Sequence, residues 1–239
     1  MKKQLILSIF FLVTLLSFSS CFFLGPSING NGNVTVEYRD IRDFEKVKVS
    51  NGLNVILVQS DKDLVTVEAD ENLHEVIQTE LKHGELKIFT DERIKESTKL
   101  VITVELKDIE ELQSGSGAQV KTDGVLHVKN FMTKASSGSQ QNLHLNVASL
   151  VAKTSSGAQM RLEGVTQDVD LSASSGAQLL AGKLVSKSCV ADVSSGAHIY
   201  IEATEKLDGE ASSGGNIFYS GNPTSLDIST SSGGNITKH

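Results

Sequence analysis

The C-terminal half of the chain repeats a Ser-Ser-Gly-like corner at a nearly constant spacing. The corner glycines are Gly117, Gly138, Gly157, Gly176, Gly196, Gly214 and Gly233, at intervals of 21, 19, 19, 20, 18 and 19 residues. A period near 19 implies a stacked repeat, because a unit that short cannot bury its own apolar face. Three residues after each glycine stand Val120, Gln141, Met160, Leu179, Ile199, Ile217 and Ile236, apolar in every coil but one. Polar residues alternate with these positions, as in Ala158-Gln159-Met160-Arg161-Leu162-Glu163, which is the period of a half-buried strand. A leucine-rich repeat needs a leucine spacing that is absent, and helical repeats have longer periods. The expected fold is all-β: a right-handed parallel β-helix, or β-solenoid, of coils stacked about 4.8 Å apart. Glycine at the corner accepts a positive φ, and the serine hydroxyls are expected to cap backbone groups that the corner frees.

Two residues after each glycine lies a polar column: Gln119, Gln140, Gln159, Gln178, His198, Asn216 and Asn235. Amides one coil apart are expected to hydrogen-bond along the axis as a ladder. The column is also the candidate surface ladder for binding, although the corner geometry alone accounts for its serines and glycines.

Residues 34–239 read as one solenoid domain, with irregular acidic coils over 34–112 and regular repeats over 113–239. Strand patterns recur at 34–38, 47–49, 53–58, 64–69, 86–89 and 100–106. Asn72, Leu73, Val76, Ile77 and Leu81 follow a 3.6-residue period, which predicts a short helix or an end cap over 71–81. Charge divides at the same place. Residues 21–112 carry 11 basic and 19 acidic side chains, whereas residues 113–239 carry 9 and 10. The whole chain has a formal net charge of -7, which argues against a nucleic-acid ligand bound by phosphate neutralisation.

Lys2 and Lys3 precede an apolar run from Leu5 to Phe18 that ends in Ser19-Ser20-Cys21. This resembles the signal peptide of a bacterial lipoprotein, covering residues 1–20, with Cys21 as the lipidated residue. Residues 21–33 then read as the lipidated Cys and a flexible Gly- and Asn-rich tether. Three acyl chains at Cys21 suffice for stable anchoring, so the membrane is an expected partner. The expected address is extracytoplasmic, an outer-membrane lipoprotein, with the periplasmic face favoured over the cell surface because Phe22-Phe23-Leu24-Gly25 lacks an acidic export cluster. With Cys21 lipidated, Cys189 is left without a disulfide partner and, in a core column, reads as a small buried hydrophobe.

Ser50-Asn51-Gly52-Leu53-Asn54-Val55, Gly84-Glu85-Leu86-Lys87-Ile88 and Ser114-Gly115-Ser116-Gly117-Ala118, followed by recurring Ser-Ser-Gly-Ala, resemble the DUF2807 family, the auto-transporter adhesin head GIN domain, over roughly residues 44–236. The resemblance implies a β-helical fold and an extracytoplasmic address, and it carries over no catalytic residue. The sequence ends at His239 inside a Ser-Ser-Gly coil where an auto-transporter has its translocator barrel, so the expectation extends to the head domain alone.

Chemistry is sparse. Asp168 and Asp170 share a strand and Asp192 follows one coil later, so an acidic outer face for polysaccharide binding or cleavage is the alternative reading, with no neighbouring coil expected to reinforce it. The six histidines have no metal-ligand spacing, and no cofactor or metal is expected. The favoured reading is a non-enzymatic lipid-anchored envelope protein whose solenoid is an interaction, adhesion or scaffolding module for a protein or glycan. The C-terminal coil lacks an evident cap after Ile236, which predicts either a homodimer through that coil end or a cover supplied by residues 71–97.

Overall fold

The computed structural model describes residues 26–239, which form nineteen strands and one 3-10 turn, Glu71–Leu73. Successive coils stack parallel and in register. Gln119 pairs with Gln140, then Gln159, Gln178, His198, Asn216 and Asn235 follow one coil at a time. The chain is a β-solenoid of about 7 turns.

The strands Gln140–Thr154, Gln159–Ala173 and Gln178–Val193 each fill nearly a whole coil. Fifteen residues at about 3.3 Å each would span roughly 50 Å, yet the strand ends meet across a short corner, so each strand bends around the core. Two outward residues in succession mark that bend: Ala148-Ser149, Gln167-Asp168 and Lys187-Ser188. This slip in the alternation lets Val147 and Leu150, or Thr166 and Val169, both point inward on either side of it. Leu143, Leu162, Leu171, Leu179, Ile199 and Ile217 are fully buried in one continuous interior.

At each corner both central residues take positive φ, as at Ser156 (53°) and Gly157 (69°), or Ser175 (53°) and Gly176 (68°). Ala158 N–H donates to Ser155 O at 3.1 Å and closes the turn, which has the type I′ signs. Gly138, Gly157 and Gly176 N–H donate to Ser156, Ser175 and Ser195 O of the next corner, each at 3.1 Å. The corner's backbone groups are thus satisfied by the neighbouring corner. The expected serine caps are confined to the Gly138 corner, where Ser139 Oγ accepts from Ser136 N–H and donates to Ser114 O, both at 3.1 Å.

The N-terminal end is closed. Lys46–Val49 and Asn54–Gln59 make the first coil, parallel to Glu111–Ser114 and Gln119–Asp123. Glu85–Thr90 and Leu100–Leu106 add parallel strands outside it, and Ile77–Lys82, Leu64–Asp70 and Val34–Arg39 then add antiparallel ones. The expected helix over 71–81 is corrected: beyond the 3-10 turn the chain becomes a hairpin strand. His83 (φ 52°) and Gly84 (φ 74°) supply the hairpin turn, and pairing Ile77–Lys82 with Glu85–Thr90 satisfies backbone groups at the sheet edge while Ile77 enters the core.

The tether is also corrected where it is described. Ser27–Asn29 pairs parallel with Arg93–Glu96, and Gly30 N–H donates to Glu96 O at 2.8 Å. Asn72 clamps the segment by donating to Asn29 O at 2.8 Å and accepting from Asn31 N–H at 2.9 Å. Gly30 lies so close to buried Asp70 that a Cβ would sit 1.6 Å from its Oδ2. The signal segment and Cys21 lie outside the described residues.

The C-terminal end is open. Ser225–Thr230 is exposed throughout, and Leu226 and Ile228 are each 45% accessible although their register partners Leu207 and Gly209 are buried. Residues 71–97 belong to the opposite end of the stack, so they do not cover this coil, which corrects that expectation.

Candidate functional site: an amide-lined outer face

The register places Gln119, Gln140, Gln159, Gln178, His198, Asn216 and Asn235 in one outward column, none of them buried. Asn54 extends the column onto the first coil through its pairing with Gln119. Two residues along, a second outward column reads Ile56, Lys121, Asn142, Arg161, Leu180, Tyr200 and Phe218. Over the first coils the two columns line an open groove of about 510 Å³, walled by Val101 at the cap. Over the last coils they become aromatic: Tyr200 and Phe218 stack with ring centres 4.8 Å apart, and His198 stacks on Phe218 at 6.4 Å.

The expected amide ladder is largely unformed. Gln159 Nε2 donates to Gln178 Oε1 at 3.2 Å, whereas Asn216 turns back to Gly214 O (3.0 Å) and Asn235 to Thr237 Oγ1 (2.9 Å). Gln119 and Gln140 have no side-chain partner among the described residues. Stacking holds these amides in line without consuming their hydrogen-bonding capacity.

A third outward column borders the face. There Glu163 meets His144 at 2.8 Å and Lys183 at 3.3 Å. The His144 hydrogen bond, aided by Lys183, holds the Glu163 carboxyl below its ordinary value. By contrast, among the described residues neither Lys121 nor Arg161 has a carboxylate within 4.0 Å.

Gln141, the polar exception in the core column, is buried and fully engaged. Its Nε2 donates to Ser114 Oγ (3.0 Å) and Lys134 O (2.9 Å), and its Oε1 accepts from Thr133 Oγ1 at 2.5 Å. Ser114 Oγ donates to Ser139 Oγ at 2.9 Å, which completes a closed polar cluster inside the first coils. It is a structural feature that the sequence signals only through the simultaneous presence of Thr133, Ser139 and Gln141 at inward positions.

The acidic residues occupy the other side of the corner. Asp168 sits at the bend, Asp170 in the outward column with Val151, Val190, Asp208 and Asp227, and Asp192 in the adjacent column beside Glu210. Hence the three do not converge in one column. The expectation that no neighbouring coil reinforces them is also corrected: Asp170, Asp208 and Asp227 each stand six residues before a corner glycine, Asp192 and Glu210 each stand four before one, and the register keeps them in phase. None of these acids lines the amide groove or the hollows around Phe131, Phe44 and Leu53. Cys189 is buried beneath this face without a disulfide, and its burial, with Asp170 and Asp208 adding to it, pushes the thiol up to about 12. Among the described residues no three His, Cys, Asp or Glu side chains are grouped to hold a metal ion, and no helix is long and apolar enough to cross a membrane.

Solved structures share this architecture. A "putative adhesin" from Bacteroides fragilis superposes with a TM-score of 0.82 at 20% identity, covering 89% of this chain and 100% of that one. A "putative adhesin" from Parabacteroides merdae gives 0.73 at 18% identity, covering 90% and 99%. A "putative lipid binding protein" from Parabacteroides distasonis gives 0.72 at 19% identity, covering 89% and 99%. At these identities the likeness concerns the fold. No curated protein matches the chain. Residues 43–223 match the family described as "Putative auto-transporter adhesin, head GIN domain", and the chain therefore belongs to that family, DUF2807.

Proposed function

We propose that this protein is a non-enzymatic, lipid-anchored envelope protein whose solenoid presents its amide-lined face as an adhesion or interaction surface. The observation that carries the reading is the outward column: in-register amides whose donors and acceptors the fold leaves mostly unspent. Family membership supports an adhesion-type module at an extracytoplasmic address. Cys21 is the lipidation site in this reading. Because the chain is pinned to the cap from Ser27 onward, the five residues between span at most about 18 Å, which holds the capped end near the bilayer and leaves the open coil distal. In this reading the protein is an outer-membrane lipoprotein facing the periplasm, which the lack of an acidic residue in Phe22-Phe23-Leu24-Gly25 supports. The open coil supports self-association: antiparallel pairing of Ser225–Thr230 with its own copy sets Ile228 against Ile228 and Asp227 against Ser229, with no like charges opposed.

The alternative is a polysaccharide-cleaving surface built on Asp170, Asp192 and their newly aligned neighbours; its specific support is the acidic column running from Asp170 to Asp208 and Asp227. One experiment separates the two. The full-length chain and a Cys21→Ser variant are produced in cells, membrane retention is measured, and the retained material is assayed for capture and hydrolysis of envelope polysaccharide. Retention that depends on Cys21, with capture and no turnover, is the expected result; turnover lost in Asp170→Asn would overturn the non-enzymatic reading.

A further inference from the structure

We infer that the groove at the capped end of the amide face is a binding site for an anionic polysaccharide lying along the solenoid axis. The inference rests on the proposed interaction surface and names what that surface takes.

Lys121 and Arg161 lie in one outward column two coils apart, a separation of about 9.6 Å, with Asn142 between them. Gln119, Gln140 and Gln159 run beside them in the parallel column, so each cation is flanked by amides once per coil. No carboxylate lines the groove; of the outward acids two residues beyond its cations, Glu163 is engaged by His144 and Lys183, and exposed Asp123 follows Lys121 on its strand outside the lining. Despite the acidic chain as a whole, this groove has a local surplus of two positive charges.

The donor set selects the ligand class. A side-chain amide donates and accepts at once, which suits vicinal hydroxyls, and an unpaired guanidinium or ammonium suits a carboxylate or sulfate. Ile56 and Val101 give the groove an apolar wall for the C–H face of a sugar ring. An acidic peptide fits less well. Peptides commonly gain affinity by adding a strand to an open edge, and every strand under this groove is already paired on both sides. Identical groups recurring at every coil match a polymer of repeating units. The volume of about 510 Å³ falls in the range of small-ligand sites, enough for a short oligosaccharide segment of a longer chain.

The test uses the full-length lipidated chain in detergent micelles. Binding is measured for polygalacturonate, for its fully methyl-esterified neutral form, for dextran sulfate and for poly-glutamate. Polygalacturonate or dextran sulfate should bind, the first of the two to saturate marking carboxylate or sulfate as the preferred anion. The neutral ester and poly-glutamate should bind at least about tenfold more weakly. Lys121→Glu/Arg161→Glu should weaken anionic-glycan binding about 30-fold, and Gln140→Ala/Asn142→Ala should weaken it without changing its salt dependence. These positions are exposed, so thermal unfolding of the variants should match the parent. Equal binding of poly-glutamate, or glycan binding untouched by Lys121→Glu/Arg161→Glu, overturns the inference. If neither glycan binds while the protein still adheres to envelope material, the ligand class falls and the adhesion reading stands; if adhesion is absent as well, both fall.

Discussion

Gln159 donates its side-chain amide to Gln178 one coil away at 3.2 Å, and among the described residues this is the one step of the outward column that closes on the next amide. A column needed only for stacking would be expected to close at each step, as the corners do, where Gly157 N–H reaches Ser175 O and Gly176 N–H reaches Ser195 O, both at 3.1 Å. The backbone holds the coils together, and the amides are carried along in line. Their exposure in the groove over Gln119 and Gln140 is what makes this face, rather than the corner, the chemically available part of the repeat.

The buried cluster around Gln141 should be cooperative. Gln141→Leu restores the apolar column but strands Thr133 and Ser114, so urea unfolding should show a loss of about 2 kcal/mol. Adding Thr133→Val should recover part of that loss, giving a coupling energy well outside experimental error. Additive effects of the two substitutions would show that the cluster is not a unit.

Cys189 should be inert in the folded protein. With its thiol raised from 9.0 to about 12, an alkylating reagent at pH 8 should label it only after unfolding. The pH dependence has a definite sign. Below pH 9 both states keep the proton and the group adds no slope; between about 9 and about 12 the unfolded chain releases it first, so stability falls as pH rises. Replacing Cys189 with Ala should flatten that part of the alkaline stability curve, though the cavity lowers stability overall.

Gly164 marks a bend at which a side chain cannot fit. Its φ is +121°, and a Cβ there would lie 1.9 Å from Leu145 O of the preceding coil. Gly164→Ala should therefore cost about 3 kcal/mol or prevent folding, whereas Ala at exposed Gln167 should be nearly neutral. Differential scanning calorimetry of the two variants reads this directly.

The open coil should be the site of self-association. In the antiparallel register described above, Ile228→Cys brings two thiols face to face, and mild oxidation of the full-length chain should yield a disulfide-linked dimer. Ile228→Lys should give monomers by analytical ultracentrifugation, with some loss of stability in the last coil, because Ile228 is 45% exposed yet stands in the inward column over buried Gly209. A parent chain that is monomeric at every concentration contradicts the pairing.

Much of the stack was legible in the sequence because its cause is periodic. The glycine intervals fix the coil length, and the column Val120, Met160, Leu179, Ile199 and Ile217 points inward throughout. The cap was less so. Alternation identifies Leu64–Asp70 as a strand but says nothing about its two antiparallel partners, and Leu73 and Ile77 bury on either side of a turn at a spacing that mimics a helix. Gly30 and Asn31 read as a flexible tether because what holds them, Glu96 and Asn72, lies forty residues or more away in sequence. The cations of the groove share a column that the glycine spacing already marks, since Lys121 and Arg161 each stand four residues after a corner glycine; what the spacing does not show is the groove itself, whose wall at Val101 comes from the cap.

The central claim is that the amide face, and not the acidic face across the corner, meets the ligand. It is tested most directly by titrating polygalacturonate against three full-length proteins: the parent, Gln140→Glu/Gln159→Glu on the amide face, and Asp170→Asn/Asp192→Asn on the acidic face. The account predicts binding abolished in the first pair and unchanged or strengthened in the second. Binding that survives on Gln140→Glu/Gln159→Glu and disappears on Asp170→Asn/Asp192→Asn would contradict it.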